Sequence, residues 1–320
     1  MSIQVRSVKD ESELEKVFDL LHQTNPYVPR AYFAQRIKHE PKYKLWQTRV
    51  AVNEKEELYG TIQIFDKKMW FAGKEVQVGG LGHLATLPDA DPSTATQLIE
   101  DSLDMLREFG FPMSVVTSGM DFKLFQQFGF MVMPMIEYSF EQFEAFDTSG
   151  VRPFDRNKDL DRVIAIHQEF NRDRIGPIAR TPEDWESQFN YPVVDPNAFW
   201  VFERDGELNG YVRGKIRQGV LEILEFGAWK SYAAYFRRIM RVMFEELDFY
   251  TARISLRRDE PFFNACYIPA RQKQDTRIMW CVLDPEKMMK ITGTESPQHL
   301  ESELRQLRNF QITFWLADAF

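Results

Sequence analysis

The residues of this chain that could do chemistry are isolated and form no cluster of a familiar kind. The two cysteines, Cys266 and Cys281, have a spacing that suits neither a metal site nor a disulfide framework, so we expect buried free thiols. No zinc pattern, catalytic Ser/His/Asp order or P-loop is visible in the sequence. His83 is a candidate for proton transfer, although a lone histidine in a strand is more often a structural hydrogen-bonding group. The elements that carry such residues must therefore be found first.

A helix start follows the stretch that contains His83. In Asp91-Pro92-Ser93-Thr94, the aspartate suits the N-cap position and the proline suits the first helical position. A capping carboxylate occupies N–H groups that an anion would otherwise use, and it adds a negative charge. We expect this helix to begin with an acidic cap at Asp91.

The elements around these residues occur twice along the chain. Residues 5–23 read as a short strand, a polar turn and an amphipathic helix, and residues 151–168 repeat that order. A hairpin around Gly60 is matched by one around Gly210, 150 residues later. Each half reads strand-helix-helix-strand-strand-strand-helix-strand-helix-strand, which predicts two tandem copies of one α/β module.

Composition narrows the classes of function. The chain has 320 residues, which suits two domains, and its 27 Phe residues can fill two cores and also favour an oligomer. A net charge of −8 makes a nucleic-acid partner a poor fit, and an acidic surface attracts cationic molecules. The N-terminus lacks the apolar core of a signal peptide, and no apolar run reaches membrane-spanning length. We expect a cytoplasmic protein with no membrane partner.

Three stretches carry a resemblance to a known family: Gly80-Leu81-Gly82-His83-Leu84-Ala85-Thr86-Leu87-Pro88, Gly110-Phe111-Pro112-Met113-Ser114-Val115-Val116 and Phe125-Gln126-Gln127-Phe128-Gly129-Phe130. They resemble the GNAT superfamily of acetyl-CoA-dependent N-acetyltransferases. Arg180-Thr181-Pro182-Glu183-Asp184-Trp185 also resembles a segment of the tandem-GNAT proteins of the enhanced intracellular survival (Eis) type. The resemblance covers about residues 1–285. It implies an α/β (α+β) fold of two tandem GNAT-like domains, each a mixed, mostly antiparallel sheet flanked by helices.

The resemblance also implies a division of the chain. We expect residues 1–148 to form an N-terminal GNAT domain with the acyl-CoA site, which we call the first repeat. Residues 149–285 would form a second, degenerate GNAT-like domain, the second repeat. The 35 residues from 286 to 320 are too few for an independent core. There we expect a helix at 296–309 and a final strand at 310–316.

For cofactors, the resemblance implies acetyl-CoA, a coenzyme A thioester, as co-substrate, with no metal. The backbone of the strand after His83 would hold the pantetheine and polarise the thioester oxygen. The diphosphate would lie at the following helix start, where Asp91 and Thr94 replace an Arg or Gln and a Gly of the family. We expect weakened or rearranged binding, with hydroxyl groups replacing some phosphate contacts. The candidate cofactor-binding residues are Leu84, Ala85, Thr86, Pro92, Ser93, Thr94, Ala95, Thr96, Gln97, Ser118 and Asp121.

For catalysis, the resemblance places Phe125 where the family has a tyrosine that protonates the leaving thiolate, and phenylalanine has no proton to give. The candidate catalytic groups are His83 and, through its C-terminal carboxylate, Phe320. The alternative for Phe320 is a terminus that is merely packed. For Ser118 and Asp121, the alternative is a turn with helix-capping residues.

Two functions of different class stay open. One is an acyl-CoA-dependent N-acyltransferase that transfers an acetyl group to an amine of a small molecule or peptide. In that case Glu222 and Glu225 of the second repeat would face a cationic acceptor. The other is a catalytically degenerate GNAT-fold protein that acts as a binding or assembly module, which Asp91, Thr94 and Phe125 together favour.

Overall fold

The computed structural model describes residues 3–117, 122–144, 147–191, 195–229, 234–264 and 266–320. These residues form two sheets with helices on their faces. The first sheet contains β1 (Gln4–Ser7), β2 (Thr48–Val52), β3 (Leu58–Phe71), β4 (Lys74–Thr86), β5 (Met113–Thr117), β6 (Met131–Val132), β9 (Ile175–Ile178) and β15 (Ile278–Val282). The second contains β7 (Met135–Phe140), β8 (Val151–Pro153), β10 (Phe199–Arg204), β11 (Glu207–Arg217), β12 (Val220–Ala228), β13 (Thr251–Leu256) and β14 (Arg271–Asp275).

The helices follow the predicted order in both repeats. They are α1 (Glu11–Thr24), α2 (Arg30–Lys38), α3 (Thr94–Glu108), α4 (Phe122–Gln126), α5 (Arg156–Asn171), α6 (Pro182–Asn190), α7 (Ala234–Glu246), α8 (Pro261–Asn264), α9 (Pro285–Thr292) and α10 (Pro297–Leu307). None of the helices in the described ranges combines the length and the apolar character that crossing a bilayer requires.

The two sheets have equivalent strand orders. The first runs β1-β2-β3-β4-β5-β15-β6, with β9 paired to β3, and the second runs β8-β10-β11-β12-β13-β7-β14. Among the described residues, β4–β5 and β12–β13 are the parallel pairs, and the other pairs are antiparallel. The predicted fold class, with mixed and mostly antiparallel sheets flanked by helices, is confirmed.

The last long strand of each repeat lies in the sheet of the other repeat. β15, from the second repeat, pairs with β5 with Ile278 opposite Thr117. In return β7, from the first repeat, pairs with β13 with Phe140 opposite Ala252. The predicted boundary at residue 148 therefore does not divide the two sheets, since each sheet is completed by the other repeat.

The single strand predicted at the end of the first repeat is broken where this exchange begins. Met133 N–H still donates to the Ile278 carbonyl of the first sheet at 2.8 Å, and Pro134 follows, which has no N–H to continue the ladder. The chain then enters the second sheet at Met135. One predicted strand is therefore two, β6 and β7.

The C-terminal extension also differs from the prediction. It contains two helices, α9 and α10, and the strand expected at 310–316 is wrong. The backbone of this segment bonds to several separate elements: Thr313 N–H donates to the Ile175 carbonyl at 2.9 Å, while the Phe310 carbonyl accepts from Arg258 N–H at 2.9 Å. Such scattered partners prevent a regular ladder, and the segment runs between the two sheets as an irregular tail.

Helices cover both faces of the first sheet. α3 places Leu98, Leu103 and Leu106 on one face, at helical spacing. On the other face lie α2 and α1, whose N-cap residue Asp10 accepts the Glu13 N–H with its carboxylate. The last residues of the tail reach this second face, where Phe320 packs between the apolar side chains under α1 and α2 and those around Phe314.

Candidate active site

The first sheet opens between its two parallel strands. β4 and β5 pair from Val78–Met113 to Leu81–Val116, and beyond that point β4 continues to Thr86 with no partner on its β5 side among the described residues. No described residue therefore pairs with the backbone groups on that side of residues 82–86, and this edge can take a ligand. A splayed pair of this kind can hold an extended chain as an additional strand would be held.

His83 lies in a β-bulge where the strands separate. Its φ is +52°, in the left-handed region that non-glycine residues rarely adopt, and the β3–β4 register shifts beside it. Its ring makes edge-to-face contacts with Phe33 and Phe65, at centroid distances of 5.1 and 5.8 Å. The local strain is thus held by surrounding aromatic packing at a place where β4 turns away from β5.

The environment of His83 keeps its imidazole neutral. Burial, together with the nearby positive charge of Arg36, lowers its pKa to about 3. Its Nδ1–H donates to Gln63 Oε1. A group of such low basicity is a weak general base, but it can orient a partner through a hydrogen bond.

The residues after the bulge lie as the sequence predicts, along the open edge. Ala85 is paired with Thr61 and Thr86 with Gly60 on the β3 side. Leu84 packs with the cluster under α3, whereas Ala85 faces α1 and α2. Successive side chains therefore anchor β4 on both faces and leave its backbone edge uncovered.

A cleft of about 410 Å³ passes through this opening. On the α3 side it is lined by Leu84, Val116 and Phe125. On the α1–α2 side its walls include Val28, Tyr32, Phe33, His83 and Phe320. The cleft thus connects the two faces of the sheet, as a site that joins two reactants from opposite sides requires.

Phe320 occupies the α1–α2 end of the cleft. A Cβ on Gly80 would lie 2.5 Å from its ring, and one on Gly82 would lie 2.6 Å from its carbonyl carbon. Glycine at these two positions lets Phe320 lie directly on the β4 backbone. Its ring also stacks on Phe65, with centroids 5.7 Å apart. Phe320 therefore lies inside the site, and its catalytic role stays a prediction.

Two side chains fix the main chain of the tail there. Thr117 Oγ accepts the Phe320 N–H and donates to the Phe320 oxygen, both at 3.1 Å. Arg36 Nη2 donates to the Ala319 carbonyl at 2.7 Å, and its guanidinium lies 4.7 Å from the Phe65 ring centroid. These contacts define where the main-chain oxygens of Phe320 lie.

The helix start after β4 partly matches its prediction. α3 begins at Thr94 with Ser93 at the N-cap, so Asp91 is not the N-cap residue. The Asp91 carboxylate nevertheless accepts the Ser93 N–H at 2.8 Å and the Ser93 hydroxyl at 2.6 Å, which keeps the Asp91 pKa below its usual value. The reason is the tight turn at 91–94, closed by Thr94 N–H to the Asp91 carbonyl, which puts Asp91 two residues before the N-cap. The predicted negative charge at this helix end is present.

The other predicted phosphate-binding groups are divided between core and surface. Thr94 is fully buried with an unpartnered hydroxyl, so its side chain points away from any phosphate in the loop. Ser93 accepts a hydrogen bond from Gln97 Nε2 at 3.0 Å. The N–H groups of Ala95 and Thr96 make no hydrogen bond within the described part of the chain. Two helix-start donors are therefore open to an anion, and Pro92, which is exposed, precedes them.

The remaining residues considered for the cofactor side of the site are Phe125, Ser118 and Asp121. Phe125 lines the cleft and makes an edge-to-face contact with Phe130 at 5.4 Å, so the family position of a proton donor is occupied by a packed apolar ring. Ser118 and Asp121 lie outside the described residues. Their proposed contacts with a cofactor stay a prediction.

The prediction that Glu222 and Glu225 face a cationic acceptor is wrong. Glu225 is fully buried and paired with Arg180 and with Arg213, the latter at 2.8 Å. Glu222 is paired with Lys215 at 3.0 Å. Both carboxylates neutralise arginine and lysine side chains of the protein itself, and these neighbours hold the pKa of each carboxyl below its usual value.

The second sheet does not reproduce the cleft of the first. Its parallel pair ends at Glu222–Arg253, but aromatic side chains fill the adjacent space. Trp315 of the tail lies 5.4 Å from Phe226 between ring centroids, and Phe236 packs on Phe226 at 4.9 Å. The tail thus fills a core in the second repeat and ends in the cleft of the first.

Sequence reasoning missed three residues of the site. Tyr32 lines the cleft and accepts a 3.4 Å hydrogen bond from Arg36, and Thr117 bonds to Phe320. No motif marks them, because each belongs to an ordinary helix or strand pattern. Their role arises only when distant segments meet. Among the described residues, no group of three or more His, Cys, Asp or Glu side chains is placed to hold a metal ion.

Comparison with known proteins supports this view of the first repeat. Residues 4–133 match the family described as Acetyltransferase (GNAT) domain. No curated protein sequence matches the chain.

Solved structures match nearly the whole chain. A GCN5-related N-acetyltransferase from Kribbella flavida is 16% identical, covers 88% of this chain and 72% of its own, and gives a TM-score of 0.67. Eis1 from Mycobacterium abscessus is 15% identical, with coverages of 90% and 76% and a TM-score of 0.64. A Saccharomyces cerevisiae N-myristoyltransferase with bound myristoyl-CoA is 12% identical, with coverages of 88% and 79% and a TM-score of 0.60. At such identities these matches establish the fold.

Proposed function

We propose, on the premise that residues 4–133 match the family described as Acetyltransferase (GNAT) domain, that the protein is an acyl-CoA-dependent N-acyltransferase whose active site is the cleft between β4 and β5. One observation carries the proposal. The two strands separate at the His83 bulge and leave a cleft that joins both faces of the sheet, with an open backbone edge on one side.

The cofactor in this proposal is acetyl-CoA, which supplies the acyl group as a thioester. The diphosphate binds the free N–H groups of Ala95 and Thr96 at the start of α3. The pantetheine follows the open edge of β4 along Leu84, Ala85 and Thr86, whose backbone N–H groups polarise the thioester oxygen. Both groups of residues lie at the same end of the first sheet, on the side covered by α3.

The acceptor is an amine of a small molecule or peptide, which enters from the α1–α2 side. Its nitrogen forms a bond to the thioester carbon, the carbon–sulfur bond breaks, and the amine proton goes to the α-carboxylate of Phe320. His83, being neutral, orients the acceptor rather than storing its proton. The thiolate takes its proton from water, because Phe125 offers none. We place this activity in the cytoplasm.

A second candidate function is a catalytically degenerate GNAT-fold protein that acts as a binding or assembly module. The Asp91 carboxylate at the start of α3 and the packed Phe125 ring favour it. The two candidates differ in turnover.

Steady-state release of free thiol from acetyl-CoA, measured with a panel of primary amines, separates them. The transferase releases thiol in proportion to amine, and mass spectrometry finds the amide. Binding of acetyl-CoA with no amine-dependent release would leave only the second candidate. A Phe320 deletion serves as the matched variant, because it moves the terminal carboxylate back to Ala319, out of its place against β4, and leaves the cofactor side of the cleft intact.

A further inference from the structure

Arg180 connects the second repeat to the tail that ends in the cleft. Its side chain is fully buried just before α6. Its Nε donates to Asp318 Oδ1 at 2.6 Å, and its two terminal nitrogens donate to the carboxylate of Glu225 on β12. A planar guanidinium can serve two carboxylates at once only in one orientation. Asp318 is therefore held at a fixed place relative to the second sheet.

Other side chains of the second repeat hold the same part of the tail. Gln188 of α6 donates from Nε2 to the Ala317 carbonyl and to Asp318 Oδ1, both at 3.1 Å. Trp185, one helical turn earlier, lies against the Arg180 guanidinium at 4.7 Å. These residues include the Arg and Trp of the Arg-Thr-x-x-x-Trp segment, whose role the acyl-transfer chemistry does not explain.

Side chains of the first repeat bind the tail closer to its last residue. Arg36 and Thr117 bind Ala319 and Phe320, as described above. Asp318 is two residues from Phe320, a span of about 7 Å. A shift at Asp318 is therefore passed to the main chain of Phe320 in the cleft.

Stability alone does not account for these buried charges. Removing charged side chains from water costs free energy that their mutual attraction often only balances, so a well-packed apolar set would hold the two repeats together as well. What the ion pairs add is a defined position. Arg180 and Asp318 meet in a single geometry, at the point from which the tail turns into the cleft.

We propose that Arg180 and Asp318 form a clamp by which the second repeat positions Phe320 in the cleft of the first sheet. This inference rests on the proposed function, in which Phe320 supplies the base. It gives the second repeat a task that needs no cofactor site of its own. Arg180 is accordingly a positioning residue, which acts on catalysis through the tail.

The test compares Arg180→Met with Arg152→Met in the full-length protein. Arg152 also pairs with a buried carboxylate of the second repeat, that of Asp159 at 2.6 Å, but within the described ranges its hydrogen bonds and ion pairs go to Pro153, Asp159 and Glu203 and not to the tail. We expect Arg180→Met to lower kcat at least tenfold while KM for acetyl-CoA changes less than about twofold. We expect Arg152→Met to leave kcat per folded molecule unchanged. Arg180→Lys should restore part of the rate, since an ammonium can still reach one carboxylate.

Hydrogen exchange gives a readout that does not depend on activity. In Arg180→Met the amides of the peptide 313–320 should exchange at least tenfold faster, and in Arg152→Met they should not. Asp318→Ala is the milder variant, because Arg180 keeps Glu225 as a partner, and it should give the same two effects. Asp318→Ala replaces Arg180→Met in the test if Arg180→Met does not fold.

The outcomes separate the clamp from the enzyme. Unchanged exchange and unchanged kcat in Arg180→Met and Asp318→Ala overturn the clamp, as does an equal loss in Arg152→Met. If the wild-type protein releases no thiol with any amine, the proposed function fails, while exchange of the tail still decides whether the clamp exists.

Discussion

Gly82 and Phe320 are in a contact that only glycine permits, since a Cβ at Gly82 would lie 2.6 Å from the Phe320 carbonyl carbon. The residue that follows Gly82 is His83, at the bulge that opens the sheet. The last residue of the tail therefore lies against the backbone of β4 at the place where β4 leaves β5. That contact links the end of the chain to the cleft.

Gly82→Ala should displace Phe320 and lower kcat at least tenfold. The atom nearest to the added methyl is the backbone carbonyl carbon of Phe320, which can move only if the tail moves. The measurement is the rate of thiol release at saturating acetyl-CoA. Gly79→Ala is the matched control: its Cβ would lie 2.3 Å from the Leu106 side chain, on the opposite face.

The control should separate stability from activity. Gly79→Ala overpacks the core under α3 and should cost about 1–3 kcal/mol of unfolding free energy with activity per folded molecule retained. A Gly82→Ala enzyme as active as the wild type would show that Phe320 has no part in turnover.

His83 should make stability depend on pH below about 6.5. Its folded pKa of about 3 lies under the unfolded value of 6.5, so between these values the unfolded chain binds a proton that the folded chain does not. Its contribution is undiminished above pH 6.5, and stability then falls by about 1.4 kcal/mol per pH unit as the pH drops toward 3. His167, also fully buried with its pKa lowered by burial, should act in the same direction.

Urea unfolding between pH 6.5 and 4.5 measures this slope. His83→Gln should reduce it by about 1.4 kcal/mol per pH unit relative to the wild type, whereas His22→Gln, at an exposed position of α1, should leave it unchanged. Parallel slopes for the wild type and His83→Gln would mean that His83 is not held neutral.

Asp91→Asn should tighten acetyl-CoA binding. The substitution keeps an oxygen to accept the Ser93 N–H and removes the negative charge beside the open amides of α3. We expect about a fivefold gain, equivalent to ~1 kcal/mol, and a larger one for Asp91→Arg. Titration calorimetry measures it. Asp104→Asn makes the same charge change farther along α3, where Asp104 pairs with Arg107, and should have little effect. Weaker binding by Asp91→Asn would place the diphosphate elsewhere.

The exchange of strands should make the two repeats unfold together. Trp280 of β15 is buried in the core of the first sheet, and Phe140 of β7 is buried in that of the second. Trp280→Ala and Phe140→Ala should each cost about 3–5 kcal/mol and lower one common midpoint. Calorimetry checks this, and two transitions of which a variant moves only one would contradict it.

Most of the element order was predictable because it rests on local patterns, although β9 and β14 of the second repeat were not predicted. The alternation around Gly60 and the helical spacing of Leu98, Leu103 and Leu106 are properties of short windows, and the structure follows them. The GNAT resemblance, carried by the stretch that includes His83, is confirmed by the family match over residues 4–133.

Pairing between distant segments was not predictable. β7 and β15 are both short apolar strands, and nothing in either one states which sheet it joins. Residues 310–316 have the apolar pattern of a strand, yet their backbone partners lie in different elements, such as Ile175. Arg36 was missed for the same reason, because it belongs to the site through a hydrogen bond to the Ala319 carbonyl, 283 residues later in the chain.

Calorimetric titration of the full-length protein with acetyl-CoA tests the central claim most directly. The cleft between β4 and β5, with the open amides of Ala95 and Thr96, predicts saturable binding at one site, with an affinity in the range from about 1 μM to 1 mM. It also predicts a rise in thermal midpoint with ligand concentration. Neither heat nor a thermal shift at millimolar acetyl-CoA would contradict the account.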